Sequence, residues 1–227
     1  MPTTSQPNPT ISLAVTEGVW REPLAQLLAL QRVEEPEVSL RISETAMDDL
    51  EQGLRHGRYH IAIALDRGGA GLPADRSDRL WQEEVVLAVP PGSPLLEHSE
   101  VAVELLHTCK MLPWTPCASH AVCTELRVKI EDAANWWPEC SFELMATLVA
   151  ANYGVGIAPR SRVALVSDWD IGLRPIAAGP HLLVTRLLRA PHQDLTAVER
   201  FAERAQRIAK DHSFHAAIAR LGSGRPE

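Results

Sequence analysis

The chain has 227 residues, 45% hydrophobic and 22% charged, with a net charge of -7. That is an ordinary globular composition, long enough to bury roughly 70% of the unfolded surface in one large domain or two small lobes. No apolar run approaches the ~20 residues of a membrane span, and the absence of a basic stripe argues against direct contact with a phosphate backbone.

The N-terminus, MPTTSQPNPT, has neither the basic nor the apolar region of a signal peptide, so 1–10 read as a flexible leader. Four cysteines without a secretion signal are expected to be reduced thiols in the cytoplasm. Ile11 to Thr16 is a β-branched apolar run and reads as a buried strand. The loop Glu17-Gly18-Val19-Trp20 follows, and Pro23 suits a first helical turn before Leu24, Leu27, Leu28 and Leu30. Val38, Leu40 and Ile42 alternate with polar residues as a half-buried strand. Ser43-Glu44-Thr45 leads into a helix with Met47, Leu50 and Leu54 on one side, ended by Gly57. His60 to Asp66 is a third strand, and this order argues parallel pairing.

Arg67 to Asp78 reads as an exposed loop, and Trp81 to Val89 as a strand broken by Pro90-Pro91-Gly92, where a lobe boundary is expected. Met111 to Trp114 is a short strand and exit loop, and Glu125 to Ala133 a helix. In Ser141 to Ser161, Phe142, Met145, Leu148 and Val149 have helical spacing behind a capping Ser141. Asn152-Tyr153-Gly154 ends that helix, and Val155 to Ala158 is a buried strand stopped by Pro159. A polar segment reaches Ala178. His181 to Leu188 is a strand, and Leu195 to Ile208 an amphipathic helix with Val198, Phe201, Ala202 and Ala205 inward. The last dozen residues are expected to fray.

The phrase VAANYGVGIAP, after its helix, resembles the effector-binding domain of LysR-type bacterial transcription regulators. Pro23-Leu24, LRHGRYHIAI from Leu54 to Ile63, VVLAVPPGSPL from Val85 to Leu95, and Met111 to Trp114 resemble further phrases of that family in the same order. His60 stands where the family usually has Asp, Asn152-Tyr153 where Gly-Leu is usual, and Ser93 where His is usual. The resemblance implies an α/β fold of two Rossmann-like lobes joined by two crossing strands, like type 2 periplasmic binding proteins. Residues 11–89 and 186–212 are expected to form lobe I, 90–185 lobe II, and 213–227 a frayed tail. It also implies a small-molecule effector in the cleft between lobes, no cofactor, and a homodimer using the helix at Leu24 to Gln31 or that at Leu195 to Ile208. A winged helix-turn-helix does not fit before Ile11. Contact with DNA is therefore expected only through a module outside this sequence, and the chain reads as a shortened one, one with an upstream start, or a natural stand-alone sensor domain.

In open α/β sheets, ligands bind outside the carboxyl ends of the strands. That selects Thr16, Gly18, Trp20, Ser43, Glu44 and Thr45 in lobe I, and Trp114, Thr115, Ser141 and Phe142 in lobe II. Hydroxyls at helix starts favour a carboxylate, and Glu44 suits an amine or hydroxyl. An organic acid or aromatic metabolite fits this set. The plainer reading is N-capping for Ser43, Thr45 and Ser141, and partial core burial for Trp20 and Trp114. Trp81, Trp136, Trp137 and Trp169 read as packing or surface.

No enzyme motif is present: there is no G-x-S-x-G, H-E-x-x-H or phosphate loop. His107, His120 and His181 have no matching carboxylate spacing, and Cys117, His120 and Cys123 lack a fourth metal ligand nearby. The chain is expected not to be an enzyme and to hold no metal. A solute-binding protein or a cofactor-dependent enzyme on the same fold are the alternatives. Peroxide-sensing members of the resembling family place a reactive cysteine near the region of Cys117 and Cys123. The plain reading is two thiols without a redox role, since on a continuous helix that spacing leaves them about 120° out of alignment.

Overall fold

The computed structural model describes residues 9–66, 77–118, 120–130, 135–191 and 196–222, with backbone alone at 117–118 and 213–222. In chain order its elements are β1 (Thr10–Thr16), α1 (Arg21–Glu34), β2 (Ser39–Thr45), α2 (Met47–Arg55), β3 (Ile61–Leu65), β4 (Ser77–Val89), β5 (Met111–Pro113), α3 (Thr115–Ala118), α4 (Ala121–Lys129), α5 (Phe142–Ala150), β6 (Val155–Pro159), α6 (Arg160–Ala164), β7 (Gly172–Pro175), β8 (Leu182–Arg189) and α7 (Thr196–Gly222). The first unit takes the described residues up to Leu65, then 77–81, then those from Val184 onward; the second takes Asp66 and 82–183. Two strands, β4 and β8, carry the chain between them. The change of unit in β4 falls between Trp81 and Gln82, whereas Pro90-Pro91-Gly92 ends the strand in a turn with Gly92 at φ 74°.

In the first unit β1 lies between β2 and β3, parallel to both, and β8 runs antiparallel to β3. Successive side chains of a strand point to opposite faces. Leu13, Val15, Ile61 and Ile63 therefore face one core with Leu27 of α1 and Val198, Phe201, Ala202 and Ala205 of α7. Ala14, Ala62 and Ala64 face another with Met47, Leu50 and Leu54 of α2. Burial on both faces explains why β1 and β3 are near-continuous apolar runs. β2 ends the sheet, and Ile42 on it is 47% exposed rather than half-buried.

In the second unit β6 lies between β5, parallel, and β4, antiparallel, and β7 also pairs with β4. All of β6 is buried. α5 packs on it through Phe142, Met145, Ala146 and Val149, with Ser141 Oγ accepting from the Leu144 amide at 3.2 Å as a cap. Asn152 takes the left-handed turn at φ 62°. Gly154 is required for space instead: a Cβ there would lie 2.4 Å from the Lys110 carbonyl oxygen.

Several elements differ from expectation. Residues 67–76 of the expected loop lie outside the described residues, and Ser77 and Asp78 already belong to β4. α4 begins at Ala121 because His120 caps it, and ends before Ile130; the expected helical residues 131–133 lie outside the described ones. The polar stretch before Ala178 contains α6 and β7. α7 is helical to Gly222, past the expected start of a frayed tail. No helix among the described residues is long and apolar enough to cross a membrane.

Candidate functional site

The parallel strands of the first unit end side by side: Ala14 pairs with Ser43, Val15 with Glu44 and Thr16 with Thr45. The expected residues Thr16, Ser43, Glu44 and Thr45 thus share one sheet end. Their hydroxyls are not equivalent. Thr16 is buried and its Oγ1 accepts from the Leu65 amide at 3.3 Å, which ties β1 to β3. Thr45 Oγ1 makes one long bond, 3.4 Å to the Ala46 carbonyl. Neither Ser43 nor Thr45 caps α2: the cap position is Ala46, which offers no side-chain acceptor. The start of α2 therefore has no side-chain cap at Ala46, and its first turn carries Asp48 and Asp49, acids that suit the positive end of a helix dipole. Gly18 sits in the buried turn after β1 at φ 93°, a conformation that suits glycine. Trp20 precedes α1 and packs against the core shared with α7, its ring edge-on to His212 at 5.3 Å. It is a packing residue as well as a site candidate.

In the second unit β5 and β6 end together, and the side chains there are more tightly organised. Trp114 is fully buried and meets Phe142 edge-on, with ring centroids 6.1 Å apart. The Arg162 guanidinium lies 5.2 Å from the Trp114 ring centroid and 6.0 Å from that of Phe142. The Trp114 indole N–H is buried and has no partner among the described residues. Thr115 and Ser141 are committed locally: Thr115 Oγ1 donates to the Cys140 carbonyl at 3.1 Å, and Ser141 caps α5.

Beside them, two acids of β4 engage the residues that follow β6. Glu84 binds Arg160 through Nε at 2.9 Å and through the terminal guanidinium nitrogen at 2.6 Å. Glu83 accepts from the Ser161 amide at 2.5 Å. Burial raises the Glu83 carboxyl above its ordinary range, opposed by hydrogen bonds from Ser161 and by the charges of Arg162 and Arg160. Arg160, Ser161, Arg162, Glu83 and Glu84 were not among the expected site residues. The rule that selected the ends of the other strands also selects the residues after Pro159, the end of β6, and applying it there finds Arg160 to Arg162. The two glutamates enter from an antiparallel strand, to which that rule does not extend.

His120 is buried as well; its Nδ1 accepts from the Val122 amide at 3.2 Å and its Nε2 has no partner among the described residues. Cys123 is disulfide-bonded, whereas Cys109 and Cys140 are free thiols. The expectation of reduced thiols therefore fails at Cys123, and the side chain of Cys117 lies outside the described residues. Among the described residues, no group of three or more His, Cys, Asp or Glu is placed to hold a metal ion.

Two α/β units, linked by two strands and presenting hydroxyl, aromatic and arginine side chains at the carboxyl ends of parallel strands, define the type 2 periplasmic-binding-protein-like class. The profile of the LysR substrate binding domain matches residues 4–210, and the chain belongs to that family. Solved structures share the fold at low identity. The effector binding domain of QuiR in complex with shikimate is 15% identical with a TM-score of 0.73, covering 89% of this chain and 98% of that one. The BenM effector binding domain with its effector benzoate is 17% identical with a TM-score of 0.75, covering 92% and 96%. The reduced OxyR regulatory domain from Pseudomonas aeruginosa is 20% identical with a TM-score of 0.68, covering 89% and 99%. No curated protein matches the chain in sequence.

Proposed function

We propose that this chain is the effector-sensing domain of a LysR-type transcription regulator in the cytoplasm, that it binds a small organic acid, and that its role is binding rather than catalysis. The observation that carries the reading is Arg162, a cation held over Trp114 and Phe142 where β5 and β6 end. A guanidinium stacked on aromatic faces holds its donors in the plane of the group, the geometry that matches a carboxylate. In the first unit, taken by itself, the Ser43 and Thr45 hydroxyls stand at the strand ends beside the start of α2. Shikimate and benzoate, bound by the QuiR and BenM domains, are both carboxylates on a six-membered ring. They support an acid of that general size without fixing its identity. We also propose a homodimer.

Titration calorimetry with benzoate, shikimate and a panel of ring carboxylates, each beside its uncharged amide, tests the reading. The expected result is binding of at least one acid, about tenfold or more weakened in its amide and in Arg162→Gln, equivalent to roughly 1.4 kcal/mol. Equal binding of acids and amides, or full affinity in Arg162→Gln, overturns it.

A further inference from the structure

We propose that His120 is an acid-operated helix cap: proton uptake at its Nδ1 releases the first turn of α4, the turn that carries Cys123. Helix caps are usually Ser, Thr, Asp or Asn, whose side chains accept from an early amide without titrating near neutrality. This chain uses such a cap at Ser141 on α5. At α4 the same task falls to an imidazole, the side chain that titrates closest to neutral pH.

The hydrogen bonds converge on one residue. The ring Nδ1 accepts from the Val122 amide at 3.2 Å. The His120 carbonyl accepts from the Thr124 amide at 3.0 Å and from Thr124 Oγ1 at 3.2 Å. An Nδ1 that accepts is unprotonated, so the neutral ring carries its proton on Nε2. That Nε2 is buried with no partner among the described residues, and the whole residue is only 4% exposed. A second proton must therefore enter at Nδ1. There it meets the Val122 N–H, a donor facing a donor, and the cap bond is lost. No acceptor at Nε2 among the described residues compensates. The charges of Asp66 and Glu125 favour the imidazolium, but burial outweighs them and holds the ring below its ordinary value of 6.5. Folding thus prefers the neutral ring. The resulting stability is complete above about pH 6.5 and declines as the pH falls below it, because the open segment then binds the proton and the capped one does not. α4 is nine residues long, and a helix that short has little stability of its own once its cap is gone. The turn that opens holds Cys123, buried in the capped form.

The test uses the full 227-residue chain, labelled with 15N, and follows amide protection factors in α4 and α5 between pH 7.5 and 5 with the ring nitrogens of His120. The expected result is an Nε2–H tautomer at pH 7.5 and loss of protection at Thr124 and later α4 amides by about tenfold per pH unit below 6.5, while α5 holds. His120→Asn keeps a cap that does not titrate, and its α4 protection should not vary over this range. An Nδ1–H tautomer, α4 protection unchanged to pH 5, or the same acid loss in His120→Asn each overturns the proposal. If His120→Asn fails to fold, the wild-type tautomer and protection profile decide it.

Discussion

Arg204 and Glu35, both almost fully buried, form an ion pair at 2.8 Å between α7 and the end of α1. Arg204 also reaches Gln31 Oε1 at 2.9 Å and Glu34 at 2.8 Å, Arg200 binds Glu35, and Arg207 binds Glu34 at 2.6 Å. Glu34 and Glu35 sit at the negative end of the α1 dipole, an unfavourable place for acids. Three arginines on α7 offset that cost and set the register of the two helices.

Arg204→Ala is therefore expected to destabilise the first unit by about 3–5 kcal/mol, because it removes the buried cation from buried Glu35 and leaves it the half-exposed Arg200. Denaturant unfolding measures this, and a loss below about 1 kcal/mol counts against the network. Acid should act on the same contact. Burial pushes the Glu35 carboxyl up, but the Arg200 hydrogen bond and the Arg204 charge bring it below its ordinary 4.5. A depressed acid contributes stability above its unfolded value that is lost as the pH falls through its folded one. Unfolding of the Arg204→Ala protein should consequently lose part of the wild-type pH dependence below about 4.5.

Gly154 predicts a second, purely steric effect. A Cβ there would meet the Lys110 carbonyl, backbone that cannot swing aside and that already accepts from the Val155 amide at 2.8 Å. Gly154→Ala should cost about 2–4 kcal/mol and disturb β5 and β6 together. Gly92→Ala is the control: nothing lies within 4 Å of its Cβ, and only its positive φ resists, by about 1 kcal/mol.

Apolar pattern was enough to read these elements: β1 and β3 as near-continuous apolar runs buried on both faces, and α1, α2 and α5 by the period of one buried face. Arg160 to Ala164 and Gly172 to Pro175 were illegible because short polar elements take their form from partners: Glu83 and Glu84 hold the start of α6, and β4 holds β7. Within the site, Trp114 and Phe142 were legible as aromatic residues at strand and helix ends. The Arg162 stack was not, because it depends on a contact across the loop between elements distant in sequence. Thr16, Ser43 and Thr45 were legible by position but not by role: a hydroxyl at a strand end looks the same whether it ties strands, caps a helix or faces a ligand.

Trp114 and Arg162 should separate stability from binding. Trp114 is fully buried, so Trp114→Ala is expected to cost about 3–5 kcal/mol and to impair binding only through loss of structure. Arg162→Gln keeps a long polar side chain and should change stability by about 1 kcal/mol or less while abolishing the preference for acids. Paired melting and calorimetry distinguish the two. A strongly destabilised Arg162→Gln protein would reassign Arg162 to packing.

For the proposed homodimer, one of the two expected helices is unavailable on its apolar face. Val198, Phe201, Ala202 and Ala205 of α7 are buried within the first unit. α1 keeps an outward residue, Val33, 78% exposed, and the neighbouring edge strand β2 shows Ile42. Val33→Glu together with Ile42→Glu should shift sedimentation from dimer to monomer without loss of helicity. An unchanged dimer moves the interface elsewhere.

The cysteines give the most direct chemical prediction. Cys123 is disulfide-bonded and Cys109 and Cys140 are free. Burial raises both free thiols above their ordinary value, which lowers the fraction present as thiolate, the reactive form. Alkylation of chain denatured without reductant should therefore label Cys109 and Cys140 and spare Cys123, and the peptide attached to Cys123 identifies its partner. In the folded protein, brief peroxide should leave Cys109 and Cys140 largely unmodified. Treatment with dithiothreitol followed by peroxide should restore the bond at Cys123 before either of the other two is oxidised. Full alkylation of Cys123 without reductant removes the disulfide from the native protein, and restoration no faster than oxidation of Cys109 or Cys140 makes Cys123 no readier to oxidise than they are.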